Sequence, residues 1–260
     1  MRVLASVTGQ FHARNITRCS SLRLLLASRP ENIRSSKCIK MSSTKLFAPA
    51  ADRNKEPICE VLSSYFTLGG GPKGVILEIA SGTGQHCAHF ANNLPSSISW
   101  QPTEYAGHPG PTAPAQAVPP VLASINAYTE GLQNVLPAIA MDAAAADWDV
   151  GPTPRDHFIG VLATNITHIS PYSVTEGLVG GAGKLLSSEG KLMIYGPFKV
   201  DGKATPESNA NFDATLKSQN PEWGLRDVEA VQALGEASGF TLTKCHNMPA
   251  NNLMLVFTKK

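Results

Sequence analysis

Three carboxylates spaced along the first half of the chain, Glu78, Glu104 and Asp142, are the residues best placed to do chemistry. Glu78 ends the apolar run Val75-Ile76-Leu77 and is followed by Ala80-Ser81-Gly82-Thr83-Gly84. Glycine lets a backbone approach a ligand closely and take positive φ. A helix starting just beyond such a turn offers unpaired N–H groups. Dinucleotides and S-adenosylmethionine both use a turn of this kind. A dinucleotide site takes G-x-G-x-x-G, but here Cys87 stands at the third glycine. An acid inside the turn repels a pyrophosphate and suits the cationic aminoacyl end of S-adenosylmethionine.

The other two acids fit the same ligand. Glu104, at the end of a second strand, accepts ribose hydroxyls. Asp142, after a third strand, accepts from an adenine amino group. The plainer alternative for both is a solvated loop acid. His168, just past the fourth strand where the ligand's methyl points, is a candidate base or acceptor-orienting group, with Asn165 and Tyr195 shaping the pocket. A base is needed only if the acceptor must lose a proton, and a hydrogen-bonded structural histidine is the alternative. His86 and His89 lie three apart without a recognisable zinc spacing, so no metal is expected. His86 is expected at the cofactor site, and His89 against a neighbouring element. Arg53 and Asn54, read as preceding the first helix, form either a lid over the ligand or a polar turn. Asn209, Asn211, Asp213 and Trp223 fall in a polar stretch, 198–224. They complete an acceptor site or hold a long loop together. The same two readings apply to Asn251 and Asn252.

These residues need elements to place them. Helical spacing covers 56–66, ended by Gly69-Gly70-Gly71-Pro72. Strands are expected at 75–79, 98–101, 136–141, 158–164, 190–195, 240–245 and 253–258. Helices are expected at 85–93, 121–132, 175–186 and 227–238. Residues 106–120 hold five prolines and two glycines and read as a loop. Alternating strands and helices predict an α/β domain: a mainly parallel sheet, helices on both faces and an antiparallel last pair.

Charge divides the chain. Residues 1–41 carry eight basic side chains and one acid, a net of +7, which leaves −5 for the rest of a chain with 22 basic and 20 acidic residues. The extension reads as an organelle transit peptide, mitochondrial first and plastid second. A start at Met41 would make it dispensable and leave a cytoplasmic product. Residues 42–260 form the domain. A nucleic-acid surface would need clustered Lys and Arg, and no such run stands out there. No stretch of about 18 apolar residues suggests a membrane helix. Five scattered cysteines without a CxxC pair fit a reducing compartment.

Roughly from residue 46 onward the chain resembles the methyltransferase-like 26 family. The resemblance rests on Ala50-Ala-Asp-Arg-Asn54-Lys-Glu-Pro57, Glu78-Ile-Ala-Ser-Gly-Thr-Gly-Gln-His86, Trp100-Gln-Pro and Asn165-Ile-Thr-His168-Ile-Ser-Pro171. Tyr195-Gly-Pro-Phe198, Asn220-Pro-Glu-Trp-Gly-Leu-Arg226-Asp227 and Met248-Pro-Ala-Asn-Asn252 carry the rest. It implies a Rossmann-like seven-stranded methyltransferase sheet and no known substrate. The Pro-rich 106–120 segment looks like a local insertion. The leading expectation is an S-adenosylmethionine-dependent methyltransferase of a small molecule. A non-catalytic binding scaffold is the second reading, and a nicotinamide-dependent oxidoreductase the third.

Overall fold

A computed structural model describes residues 45–67, 73–105, 107 and 120–260. The transit peptide expected at 1–41 and most of the Pro-rich segment fall outside the described residues.

Strand β1 (Gly74–Ile79) pairs in parallel with β2 (Ile98–Glu104) on one side and β4 (Phe158–Thr164) on the other. The short β3 (Ile139–Ala140) extends the first edge, and β5 (Lys191–Gly196) follows β4 in parallel. Two antiparallel strands, β9 (Asn252–Lys259) and then β8 (Phe240–Met248), close the sheet. The order is therefore β3-β2-β1-β4-β5-β9-β8. Chain direction of travel across the sheet reverses at β1, so a crevice opens beyond its carboxyl end.

Alternation along the central strands feeds two cores. Val75, Leu77, Ile79, Leu192, Ile194, Leu255 and Phe257 face helices α4 (Tyr172–Leu185) and α6 (Val228–Ala237). Ile76, Leu162, Met193, Tyr195, Met254 and Val256 face α1 (Pro49–Phe66) and α2 (Gln85–Asn93). Burial on both faces explains why these strands read as nearly continuous apolar runs. A further helix, α3 (Pro120–Thr129), packs beside α2 and β2.

Several sequence expectations need correction. Helix α1 starts at Pro49, not near residue 56, so Arg53 and Asn54 lie inside it. Pro57 sits within the helix without an N–H to give, a cost of about 3 kcal/mol offset by burial of Ile58, Leu62 and Phe66. The polar stretch 198–224 contains α5 (Glu207–Gln219), bracketed by a two-stranded ribbon of β6 (Phe198–Lys199) and β7 (Arg226–Asp227). Strand β2 runs on through Pro102 to Glu104.

Helix α4 begins at Tyr172 rather than Thr175 and carries glycine at 177, 180, 181 and 183. Close approach explains three of them. A Cβ on Gly177 would lie 2.3 Å from the Ala143 carbonyl, one on Gly181 2.2 Å from the Trp148 ring, and one on Gly183 2.7 Å from the Ser238 carbonyl. Gly177→Ala raises helix propensity by roughly 1 kcal/mol but overpacks this contact. We expect a net loss of about 1–2 kcal/mol, measured by denaturant unfolding; a gain in stability would refute the contact.

Candidate functional site

The turn from β1 into α2 passes through left-handed backbone at Ala80, Gly82 and Gly84, with φ of 54°, 57° and 92°. Neighbouring elements tie it in place. Ser81 N–H donates to the Thr103 carbonyl (2.8 Å), and the Thr103 hydroxyl donates to the Glu78 carbonyl (2.8 Å). Gly82 N–H donates to Glu104 Oε2 at 2.7 Å, and Tyr105 N–H to Glu104 Oε1 at 2.8 Å. From α3, the Ser124 hydroxyl donates to the Thr83 carbonyl at 2.8 Å.

A cavity of about 740 Å³ opens in front of this turn. Ala80, Ser81, Gly82, His86, Glu104 and Asp142 line one part of it, and Asn165 and Trp223 another. Asp142 Oδ1 accepts from the Ala144 N–H at 2.8 Å, which fixes the carboxylate at the end of β3. Burial raises the Glu104 pKa, and its two backbone donors pull it back.

Glu78 stands differently. It is 1% exposed, it is not among the cavity-lining residues, and neither carboxyl oxygen has a hydrogen-bond partner. Burial pushes its pKa up to about 8; the adjacent Ser81 lowers it and the charge of Glu104 raises it. The sequence places an acid at the strand end, and the fold sets it directly behind the turn.

His86 lines the cavity with its ring stacked on Phe90, centroids 5.5 Å apart. Its Nε2 lies 2.6 Å from Asn54 Oδ1, which makes Nε2 the protonated nitrogen. Burial drops its pKa to about 4, so the ring is neutral. Asn54 thus acts behind the cavity, holding His86 and meeting the Tyr195 phenol. Arg53 is exposed and outside the cavity lining. His89 instead faces Glu56, with Nε2 3.3 Å from Oε2.

Of the proposed catalytic trio only Asn165 reaches the cavity. Tyr195 alternates onto the opposite core beneath α1. His168 is buried in a 3₁₀ turn, edge-on to Phe212 at 5.6 Å, and burial with the Arg226 charge lowers its pKa to about 4. Its carbonyl accepts from Gly224 N–H at 3.0 Å. Among the polar residues expected to bind substrate, only Trp223 lines the cavity. Asn209 donates to the Thr205 and Asn251 carbonyls, at 3.2 and 3.1 Å. Asp213 accepts from Leu225 N–H at 2.8 Å and pairs with Lys217 and Lys199 at 2.7 and 3.2 Å. Asn211 is exposed on α5, and Asn251 lines a separate cavity of about 310 Å³. Asn209, Asp213 and Asn251 take part in the hydrogen bonds that tie the α5 segment to its neighbours.

Sequence reasoning missed the walls. Ala48, Ala50 and Ala51 line the cavity at the start of α1, and Ile166, Ile169, Pro171 and Val174 beyond β4. The 45–48 segment is docked by Leu46 N–H on Ser124 Oγ (2.9 Å) and Ala48 N–H on Gln85 Oε1 (2.6 Å). Alanines carry no recognisable signal. Nor does the apolar rim, whose Ile169 is 46% exposed only once the chain is folded.

Strand order, the antiparallel final pair and the turn at the switch point define the Rossmann-like class I methyltransferase fold. The chain belongs to the family described as "Protein of unknown function (DUF938)", whose model matches residues 45–259. Among solved structures it is similar to human N-acetylserotonin methyltransferase in complex with SAM, with a TM-score of 0.61 and 11% identity over 81% of this chain and 52% of that one. An O-methyltransferase family 2 protein from Planctomyces limnophilus in complex with apigenin matches with a TM-score of 0.60 and 18% identity, over 81% and 58% of the two chains. For the mitomycin 7-O-methyltransferase MmcR the TM-score is 0.60, with 13% identity over 81% and 55%. The chain thus spans little more than half the length of these proteins.

Two glycines of the turn should fail differently. A Cβ on Gly84 would meet Ile125 Cα at 2.6 Å, whereas one on Gly82 has nothing within 4 Å. Gly84→Ala should cost roughly 3 kcal/mol or more of stability. Gly82→Ala should cost about 1–2 kcal/mol while weakening ligand binding at least about tenfold. Unfolding and calorimetry separate them, and equal stability losses would contradict the assignment.

Glu78 gives a pH test. In the unfolded chain it ionises near 4.5; in the folded protein it keeps its proton to about pH 8. The folded state binds the extra proton between those values, so the Glu78 contribution to stability falls as pH rises through that window. Glu78→Gln should remove this slope and raise the melting temperature at pH 8 more than at pH 5. A slope unchanged in the variant would exclude Glu78 as its source.

Proposed function

We propose that this protein is an S-adenosylmethionine-dependent methyltransferase acting on a small molecule. One observation carries the reading. The cavity at the end of β1 is edged by Glu104 and Asp142, backed by buried Glu78, and lined by no Lys or Arg among the described residues. That surround suits a cation bearing a ribose and an adenine. It opposes a pyrophosphate, which disfavours nicotinamide dinucleotides.

In this reading the Glu104 carboxylate, already accepting two N–H groups, accepts the ribose hydroxyls with its remaining lone pairs. Asp142 takes the adenine amino group. Ser81, Gly82 and the start of α2 approach the aminoacyl end, with His86 held neutral beside it. Glu78 supplies the compensating negative charge once a cation lowers its pKa. Bound S-adenosylmethionine supplies a methyl group on a sulfonium, an electrophile for which positioning does much of the work. The resemblance to the methyltransferase-like 26 family supports the same assignment. The Arg-rich first 41 residues support the mitochondrion as its site of action.

The burial of His168 and Tyr195 away from the cavity favours a second reading, a binding scaffold without turnover. Calorimetry with S-adenosylmethionine, S-adenosylhomocysteine and NAD separates the classes. We expect both sulfur ligands to bind and NAD not to. Failure of both sulfur ligands would end the methyltransferase reading, and binding without turnover of any acceptor would leave the scaffold.

A further inference from the structure

We infer that Asn54 and Tyr195, both behind the cavity, fix His86 in one tautomer, so that its Nδ1 faces the ligand as a hydrogen-bond acceptor and takes the ammonium group of the aminoacyl end. The assignment rests on the methyltransferase reading above. Of the three, only His86 touches the ligand; Asn54 and Tyr195 are positioning residues.

Three elements meet at this point. His86 stands in the first turn of α2, Asn54 in α1 and Tyr195 in β5. His86 Nε2 is 2.6 Å from Asn54 Oδ1. Burial raises the Tyr195 pKa, and the Asn54 side chain, hydrogen-bonded to the phenol, lowers it. A bond that lowers a phenol's pKa favours the phenolate, so it is donated to the phenol oxygen. Only the NH₂ of an amide donates. The amide is thus oriented, NH₂ on Tyr195 and Oδ1 on His86, and an accepting oxygen there requires the proton on Nε2.

Nδ1 is then the nitrogen with the lone pair. It has no hydrogen-bond partner among the described residues, yet it is not one of the polar atoms sealed from solvent there. His86 lines the cavity, and its ring is held by stacking on Phe90. The open nitrogen therefore belongs to the cavity wall. Burial, and then the charges of His89 and Lys55, lower the ring's pKa to about 4, which keeps this lone pair free at neutral pH.

What it accepts follows from where it stands. Asp142 and Glu104 mark the ends of β3 and β2, so adenine and ribose run along the sheet toward β1. The aminoacyl end then reaches the β1 turn, where His86 and the alanines at the start of α1 line the wall. That end carries one donor, the ammonium, and one acceptor, the carboxylate. A bare Nδ1 bonds the first and repels the second. The bond is made to a charged donor, so it is stronger than a neutral one. Glu78 is outside the lining and makes no such contact.

The test compares S-adenosylhomocysteine with its analogue lacking the α-amino group, by calorimetry on the full-length protein. Loss of the amine should weaken binding at least about tenfold. In His86→Phe, which keeps a ring on Phe90, that penalty should shrink at least about fivefold. His86→Asn sets an amide oxygen near the Nδ1 position and should restore the penalty. His86→Gln, whose polar end reaches the Nε2 position, should not. Nitrogen NMR of histidine-labelled protein, with the His86 ring identified by its absence in His86→Phe, should show the proton on Nε2. Asn54→Leu should admit the other tautomer and lower the amine penalty at least about threefold. Asn54→Asp, still an acceptor, should preserve tautomer and penalty. A proton on Nδ1, equal binding of the two ligands, or a penalty unchanged in His86→Phe would overturn the inference. So would rescue by glutamine and not by asparagine. Failure of both S-adenosylhomocysteine and S-adenosylmethionine to bind would instead overturn the methyltransferase reading.

Discussion

Everything at the site depends on holding left-handed backbone at three of five consecutive positions after β1, Ala80 to Gly84. Two glycines make this accessible, but Ala80 does not come free, at roughly 1 kcal/mol. The ties from Thr103, Glu104 and Ser124 hold the turn against that cost. Glu104 links two functions: it fixes Gly82 and still offers lone pairs to a ligand. The end of β2 and the turn of β1 are therefore one unit, and a change at either moves the other.

A carboxyl buried without a partner is the second constraint. Glu78 is tolerated because it stays protonated when the cavity holds no cation. Ionising Glu78 therefore works against the fold as pH rises toward about 8. A glutamine would fill the same space without the charge.

The sheet was legible because β1, β4 and β5 are buried on both faces and read as unbroken apolar runs. The order of acids was legible because each stands at a strand end, although only Glu78 closes an unbroken apolar run. Helix α5 was not, since its buried face is Asn209, Asp213 and Leu216, one apolar residue in three. Its amphipathicity is expressed in hydrogen bonds, which hydrophobic period cannot detect. Pro57 concealed the first turns of α1, because proline usually marks a helix start rather than an interior. Tyr195 and His168 show a different limit. Both stand at strand ends, as site residues do, but alternation turned Tyr195 under α1 and a 3₁₀ turn carried His168 away from the cavity lining.

The two halves of the sheet divide the work unevenly. Ties from β2 and α3 fix the part of the cavity around the β1 turn, in which the position of each acid follows from a strand end. The part beyond β4 is shaped by a loop whose anchor is Arg226, donating to the Thr167 carbonyl at 2.8 Å and to the Ser170 carbonyl. The same guanidinium lies over Tyr172, 5.5 Å from its ring centre. Arg226 stands in β7, so the α5 segment holds the outer wall through this side chain and the Gly224 N–H on the His168 carbonyl, and adds Trp223 to the lining. Asn209 and Asp213 thus bear on the cavity a step removed, by holding the segment from which Arg226 fixes that loop.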